Sequence, residues 1–239
     1  MTKRTWVILG ATSIIAEEFA HLVAASGNQL ILAGRDSEQL KIIENDIKLR
    51  YKIPCTSVIM DMTSPADELL TILKQGDNEL DLFIAHSDFT ANKDLNPVSI
   101  TQLIEINILS TTLLIHSYLN LNQKQHNLLY ISSVAACRGR SKNSLYGASK
   151  AAIEIYLEGL QQASSKQQNI VIARLGFIDT KQTYGLPGIF YAAPPRDCAK
   201  ACLKALSKNK RMFYYPGFWR IIMAIITRLP FFIYKKLGI

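Results

Sequence analysis

Residues 5–36 read TWVILGATSIIAEEFAHLVAASGNQLILAGRD, and this stretch decides the fold. Trp6–Gly10 is an apolar run of strand length that ends on a glycine. Ser13–Ser26 has helical period, and Gln29–Ala33 is a second short apolar run. Neither run alternates apolar with polar residues, as expected of parallel strands covered on both faces. Outward from here the alternation continues. Ser37–Arg50 reads as a helix, and Thr56–Met60 and Leu82–Ala85 as strands around a helix at Pro65–Gln75. Ser99–Asn120 is a long helix, Asn127–Ser132 a strand, Leu145–Lys166 a helix and Ile170–Leu175 a strand. This order predicts an α/β fold, a doubly wound open parallel sheet with helices on both faces. No repeat or linker interrupts it. Lys181–Asp197, rich in Gly, Pro and aromatics, is long for a connection and reads as a functional loop.

The 239 residues are 49% hydrophobic and 19% charged, which excludes a disordered chain and suits one main core. The net charge of +8 is local. After Asp197 there are nine Lys and Arg and no acidic residue, so the rest of the chain is close to neutral. A basic tail points to a membrane surface or another anionic partner, and it carries no nucleic-acid-binding motif. The four cysteines, Cys55, Cys137, Cys198 and Cys202, form no C-x-x-C pair and have no neighbouring His, so no metal site is expected. They suit a reducing compartment. The apolar run after Lys3 and Arg4 is too short for an export signal, with Glu17 and Glu18 close behind. The expected location is cytoplasmic, without a transmembrane segment.

Gly10, Thr12 and Ser13 lie at a strand–turn–helix opening. The backbone N–H groups there suit a pyrophosphate, and the hydroxyls add donors. The same residues would also make an ordinary capped β–α turn. At the end of the second strand, Arg35 follows Gly34 and favours a ribose 2′-phosphate, hence NADPH, although Asp36 follows directly. Asp61 closes the third strand, where it could accept from an adenine amino group or cap the next helix.

Ser132-Ser133 is followed, after twelve residues, by Tyr146-Gly-Ala-Ser-Lys150. Tyr146 and Lys150 are four apart on a helix and share a face. A phenol with pKa near 10 is a poor acid/base at neutral pH, and a nearby ammonium lowers that pKa. Ser133 stands at the C-terminal end of a strand, the ligand side of such a sheet. Its hydroxyl can hold a carbonyl oxygen while Tyr146 gives it a proton.

With these motifs the sequence resembles the short-chain dehydrogenase/reductase family over about residues 5–215. The carriers are GATSIIA, Asp61, Asn107 in IEINILS, Ser133 with YGASK, and Leu175–Thr180. The resemblance implies a Rossmann fold of about seven strands and hydride transfer between a nicotinamide and an alcohol or carbonyl. It implies a catalytic tetrad: Asn107 for a water relay, Ser133 to orient substrate, Tyr146 as acid/base, and Lys150. It further implies cofactor contacts at Gly10, Thr12, Ser13 and Ile15, then at Arg35, Asp61 and Ala85. Tyr146, Lys150, Gly176, Ile178 and Thr180 complete that set. Homodimers or homotetramers are usual in the family. The sequence departs from the family at Ile14 and Ala16, which replace two turn glycines, at Ala85–Asp88, which replaces N-N-A-G, and at Leu175, which replaces a proline. His86 reads as a packing replacement beside the cofactor.

Tyr184, Leu186, Pro187, Phe190 and Tyr191 would lid a bulky or apolar substrate, or simply pack on the core. Residues 216–239 form a basic amphipathic tail beyond the 1–215 body. Arg220, Ala224, Thr227 and Arg228 share one helical face, with Phe218, Trp219, Ile221, Ile222, Met223, Ile225, Ile226 and Leu229 around the rest. Pro230 breaks the helix, and Lys235 and Lys236 follow. The tail reads equally as an interfacial anchor or as a helix closing the core or an oligomer interface. The turn G-A-T-S-x-I-A and the segment Y-x-P-G-F-W-R resemble the branch of decaprenylphosphoryl-2-keto-pentose reductases. That resemblance implies a lipid-linked keto-sugar and peripheral contact with the inner face of the membrane. The expected function is NADPH-preferring carbonyl reduction of a small or lipid-linked substrate. The alternative is a dinucleotide-sensing protein without turnover, motivated by the altered glycine turn.

Overall fold

Strands made of Val, Ile and Leu runs can be buried on both faces only where helices cover both. β1 (Thr5–Leu9), β2 (Gln29–Gly34), β3 (Cys55–Ile59), β4 (Leu80–Ile84), β5 (His126–Ser133), β6 (Gln168–Leu175) and β7 (Met212–Tyr215) meet that condition. They form one parallel sheet in the order β3-β2-β1-β4-β5-β6-β7. The computed structural model describes residues 4–63, 79–180, 183 and 191–237. The expected helix at Pro65–Gln75 and loop residues Tyr184, Leu186, Pro187 and Phe190 lie outside the described residues.

The two-residue period of each strand sorts its side chains into two cores. Trp6, Ile8, Leu30, Leu32, Phe83, Leu129, Val171 and Ala173 face one side. There α1 (Ile14–Ala25), α2 (Ser37–Tyr51) and α6 (Pro195–Ser207) cover them with Phe19, Ile43 and Cys198 among others. Val7, Leu9, Leu82, Ile84, Leu128, Tyr130, Ile170 and Ile172 face the other side. There α4 (Thr111–Leu119) and α5 (Ser144–Ala163) supply Leu114, Ile115, Tyr118, Ile153 and Leu157. Burying each Leu or Ile stabilises the fold by about 1.5–3 kcal/mol, so both cores are needed to hold the sheet flat-sided in water. Cys198 and Cys202 are fully buried in the first core.

The long helix expected at Ser99–Asn120 is α3 (Pro97–Ile104), a π turn at Glu105–Ser110, and α4. Asn96 starts it with a capping box, accepting from Ser99 N at 3.1 Å while Ser99 Oγ accepts from Asn96 N at 2.9 Å. Pro97–Leu119 is 23 residues long with mean hydropathy 1.5, enough by length and composition to cross a membrane. It lies instead along the sheet with Leu103, Ile106, Leu114, Ile115 and Tyr118 buried, which is the packing of a core helix.

Parallel strands put every strand C-terminus on one edge, where the chain must leave the sheet in loops. At the opposite edge Arg4 clamps Asp81 through Nε and Nη2, both at 2.7 Å, and Asp81 also accepts from Asn127 Nδ2 at 2.9 Å. β7 has no counterpart among the strands read from the sequence. Its four residues, MFYY, are half-buried and too short to stand out by pattern.

After β7 the chain turns through a cis Tyr215–Pro216 bond into α7 (Trp219–Arg228) and α8 (Phe231–Lys236). The tail divides its apolar residues between two faces. Trp219, Ile222, Met223 and Ile226 pack on Val134, Phe177 and Tyr214. Ile221, Ile225, Phe231, Phe232, Ile233 and Leu237 are exposed.

Candidate active site

The strand-end turn after β1 closes the cofactor edge. Gly10 sits at φ 70°, and a Cβ there would lie 2.6 Å from His86 N and 2.8 Å from His86 Cα. Only glycine serves both the dihedral and the approach to the chain leaving β4. Ser13 caps α1, its Oγ accepting from Ala16 N at 3.3 Å. The first-turn amides of Ile14 and Ile15 lie ahead of the helix's own ladder and face outward from its positive end. Thr12 is half-buried beside them. Ile14, in place of a family glycine, is 45% exposed and so occupies no core space.

Asp36 caps α2 by accepting from Gln39 N at 3.0 Å. Its carboxylate is thereby engaged, and Arg35 beside it is exposed with no ion pair among the described residues. Asp61 accepts from Thr63 N at 3.0 Å, which holds its carboxyl below the usual range, with Arg35 adding to the effect. Ala85 is tied to β1 through Leu9 O at 3.0 Å. Gly176 N donates to Tyr215 O at 2.9 Å. Ile178 is buried and pairs with Ala193, and Thr180 N donates to Thr183 Oγ1 at 3.0 Å. These positions share the C-terminal edge. They fit a dinucleotide: a glycine turn at a helix start, and next to it an uncommitted guanidinium.

Tyr146 and Lys150 stand one turn apart on α5. Gly147 lets this helix reach the turn after β5: a Cβ there would lie 2.6 Å from Ala135 O. That approach brings Tyr146 to Ser133, which ends β5 and whose Oγ accepts from Ala135 N at 3.1 Å. Burial raises the Tyr146 phenol pKa, opposed by the Ser133 and Ser87 hydroxyls and by the Arg140 guanidinium. Phe89 packs edge-on against the ring at 5.2 Å.

Lys150 behaves differently from the sequence expectation. Its Nζ donates to Ile131 O at 2.9 Å and lies 5.9 Å from the Tyr146 ring centre. Burial pushes the ammonium down to about 7, with Glu154 opposing. The Arg140 guanidinium also favours the charged form of the phenol, after the two serine hydroxyls. Nothing in its sequence context singles Arg140 out beyond its place in the basic stretch Arg138–Lys142, between Ser133 and Tyr146. Ser87, in the altered Ala85–Asp88 segment, was likewise not singled out by its sequence.

Asn107 lies in the π turn and is fully engaged. Its Oδ1 accepts from Asp88 N at 2.7 Å, and Nδ2 donates to Asp88 O at 2.9 Å and Ser149 Oγ at 3.0 Å. It ties the loop after β4 to the helix of Tyr146 and Lys150. A π turn at this point matches the tendency of such bulges to occur at functional sites. His86 contacts Thr111 Oγ1 through Nε2 at 2.9 Å. Burial, with Lys150 adding, pushes its pKa down to about 3, so it stays neutral and is unsuited to proton transfer near pH 7. Below the site, Glu154 accepts from Arg174 Nε and Nη2 at 2.9 and 2.6 Å and from Ser132 Oγ at 2.5 Å. This buried pair is a brace, since both partners are satisfied away from the pocket.

Trp219 of the tail sits directly on Gly176: a Cβ there would lie 1.8 Å from Trp219 Nε1. Tyr191 packs edge-on against Phe218 at 6.0 Å. The tail therefore packs on the chain that leaves β6 at the strand C-termini.

The fold is shared with a 7β-hydroxysteroid dehydrogenase (TM-score 0.81, 21% identity, 94% of this chain and 90% of the other). It is shared as well with a short-chain dehydrogenase from Sphingobium yanoikuyae determined with NADPH (0.78, 20%, 95% and 96%). An uncharacterized oxidoreductase of Staphylococcus aureus is 26% identical over 219 residues, 89% of this chain and 94% of the relative. The short chain dehydrogenase family model matches residues 4–186, a span that holds the glycine turn, the strand-end serine and the Tyr–Lys helix. The chain belongs to that family and is an oxidoreductase acting on CH–OH or C=O groups.

Proposed function

We propose that the protein is an NADPH-dependent carbonyl reductase whose substrate reaches it from a membrane surface. The observation that carries the reading is the meeting of Tyr146, Ser133 and Lys150 at the strand edge that also holds the Gly10 turn. Ser133 orients the carbonyl oxygen, and Tyr146 donates a proton to it. A bound dihydronicotinamide would supply the hydride. Burial raises the phenol and so keeps it protonated, while the Ser133 and Ser87 hydroxyls work against that rise and favour release of its proton. Lys150, nearly buried with only a backbone carbonyl as acceptor, would hold the nicotinamide ribose. Asn107 is a positioning residue for this helix. Family membership argues against a sensor without turnover.

NADPH is favoured over NADH because Asp36 is engaged as a cap and Arg35 is not. The Sphingobium neighbour's NADPH supports the same choice. Arg35→Asp should lower the NADPH-to-NADH affinity ratio about ten- to a hundredfold, the loss of a charge-assisted hydrogen bond of about 1.5–3 kcal/mol. Fluorescence titration with both cofactors reads it, and an unmoved ratio removes Arg35 from the site.

The exposed face of α7 and α8 supports peripheral attachment of residues 216–239 to an anionic membrane. Ile225, Phe231 and Phe232 are exposed among Arg220, Arg228, Lys235 and Lys236, and no acid follows Asp197. Apolar insertion beside cations matches a headgroup layer, at about 1 kcal/mol per cation near the surface. The full chain should pellet with vesicles containing anionic lipid and less with neutral ones, and Ile225→Gln with Phe232→Gln should stay in solution. If that variant still pellets, or changes only from dimer to monomer on a sizing column, the face binds something else. A lipid-linked carbonyl compound, such as a keto-sugar, is the substrate class that fits both features. The exposed Ile104, Leu109, Leu113 and Ile155 on the opposite layer suit contact with a second copy, in keeping with a homodimer or homotetramer. The location that follows is the cytoplasmic side of a membrane.

A further inference from the structure

The outermost helix, α8, is oriented the wrong way round for a helix that seals a core. Phe231, Phe232, Ile233 and Leu237 are exposed, while the polar-tipped Tyr234 is half-buried. A core-sealing helix would turn its apolar side inward. What ties α8 to the body is a polar clasp. Tyr234 Oη donates to Gly139 O at 2.7 Å. The Arg138 guanidinium lies 3.9 Å from the centre of the Tyr234 ring and donates to Ile226 O. Ile226 is among the last four residues of α7, whose carbonyls have no partner further along the helix and favour a cation. Arg138 and Gly139 are adjacent in the chain. The three contacts therefore close a ring between the tail and one short piece of loop.

That loop joins Ser133 to Tyr146, and it is held along its length. At its start Val134, next to Ser133, packs against Trp219 and Met223 of α7. The clasp holds its middle. At its end Asn92 takes over: its N donates to Lys142 O at 2.8 Å, its Nδ2 donates to Ser141 O at 2.8 Å, and its Oδ1 accepts from Ser144 N at 2.9 Å. The last contact starts α5, because Asn143 at the N-cap makes no side-chain hydrogen bond to the helix. Tyr146 follows two residues after Ser144. We infer that Tyr234 and Arg138 are positioning residues, whose clasp fixes the loop between Ser133 and Tyr146 and so keeps the serine hydroxyl and the phenol at the spacing carbonyl reduction needs. The tail is then part of the catalytic apparatus as well as an attachment. The inference rests on the reading of Tyr146 as the proton donor, and it adds residues that act through the loop without touching substrate. A small loop shift suffices, since a misplacement of about 1 Å can cost about a hundredfold in rate.

The test uses the full chain in buffer without lipid, so that membrane attachment plays no part. Tyr234→Ala and Arg138→Met open the clasp, and Arg138→Lys keeps a cation beside the ring. Amide hydrogen exchange over residues 134–143 reads the loop. NADPH consumption with a panel of ketones reads the chemistry. In both opened variants the loop amides should exchange at least about tenfold faster. Their kcat should fall about ten- to a hundredfold. KM, NADPH affinity and melting temperature should stay near the wild type, because the clasp lies outside both cores of the sheet. Arg138→Lys should recover part of the lost kcat. Unchanged loop exchange overturns the inference. So does faster exchange with kcat unchanged, since the clasp would then serve only the structure. A fall in kcat that comes with lost NADPH affinity and a lower melting temperature overturns it as well, because the whole fold has then loosened. A wild type that reduces no ketone, with loop exchange still responding to Tyr234→Ala, leaves the clasp standing and overturns the reductase reading on which its catalytic role depends.

Discussion

Tyr146→Phe should cut carbonyl reduction by about 10²–10⁴-fold while NADPH affinity is retained. The substitution removes one oxygen and leaves the ring packed against Phe89. The hydroxyls of Ser133 and Ser87 lose a partner, but both are near the surface of the pocket and can bind water. The fold should therefore hold, and the loss should fall on the chemical step. Among the described residues, neither His86 nor Lys150 is set to take over. His86 is kept neutral with a pKa of about 3, and Lys150 is turned to Ile131 O. NADPH oxidation measured against a panel of ketones, with cofactor affinity from fluorescence, checks the split. Turnover near the wild-type rate would remove Tyr146 from the mechanism.

Gly10→Ala should weaken NADPH binding by more than tenfold and lower the melting temperature by about 5–12 °C. Two costs add. A non-glycine residue at φ 70° is unfavourable by about 1–2 kcal/mol. The new Cβ would also meet His86 N at 2.6 Å, a backbone atom that no rotamer change can move aside. Relief requires β1 and β4 to separate at the point where the strand order reverses, the crevice in which such sheets bind their ligands. For a domain of this size each kcal/mol shifts the melting temperature by about 2–4 °C. Gly27→Ala is the control. It has φ 79° but nothing within 4 Å of the added carbon. It should lose only a few degrees and bind NADPH normally. Equal effects at both positions would show that conformation alone, and not the approach to His86, makes Gly10 necessary.

Much of the site was legible because its parts are local in the chain. Gly10 and Ser13 announce a turn into a helix, and Tyr146 and Lys150 share a face by helical period alone. The role of Lys150 is where local reasoning stopped. Spacing of four residues puts an ammonium near a phenol, but it cannot say which acceptor the ammonium finds. Ile131 O, on a strand nineteen positions earlier, takes it.

The sequence by itself determined the parallel α/β class, the two-faced burial of the strands, the glycine turn and the Tyr–Lys pair. Each is encoded in periods of two or 3.6 residues, or in the conformational demands of one residue. Only the tertiary structure decided the rest. It placed Trp219 on Gly176, divided the tail's apolar residues between the body and the exterior, and opened the helix of Asn107 into a π turn. The physical reason is that burial, charge pairing and wall-forming contacts depend on which distant segments meet, and that is set by packing rather than by any local pattern.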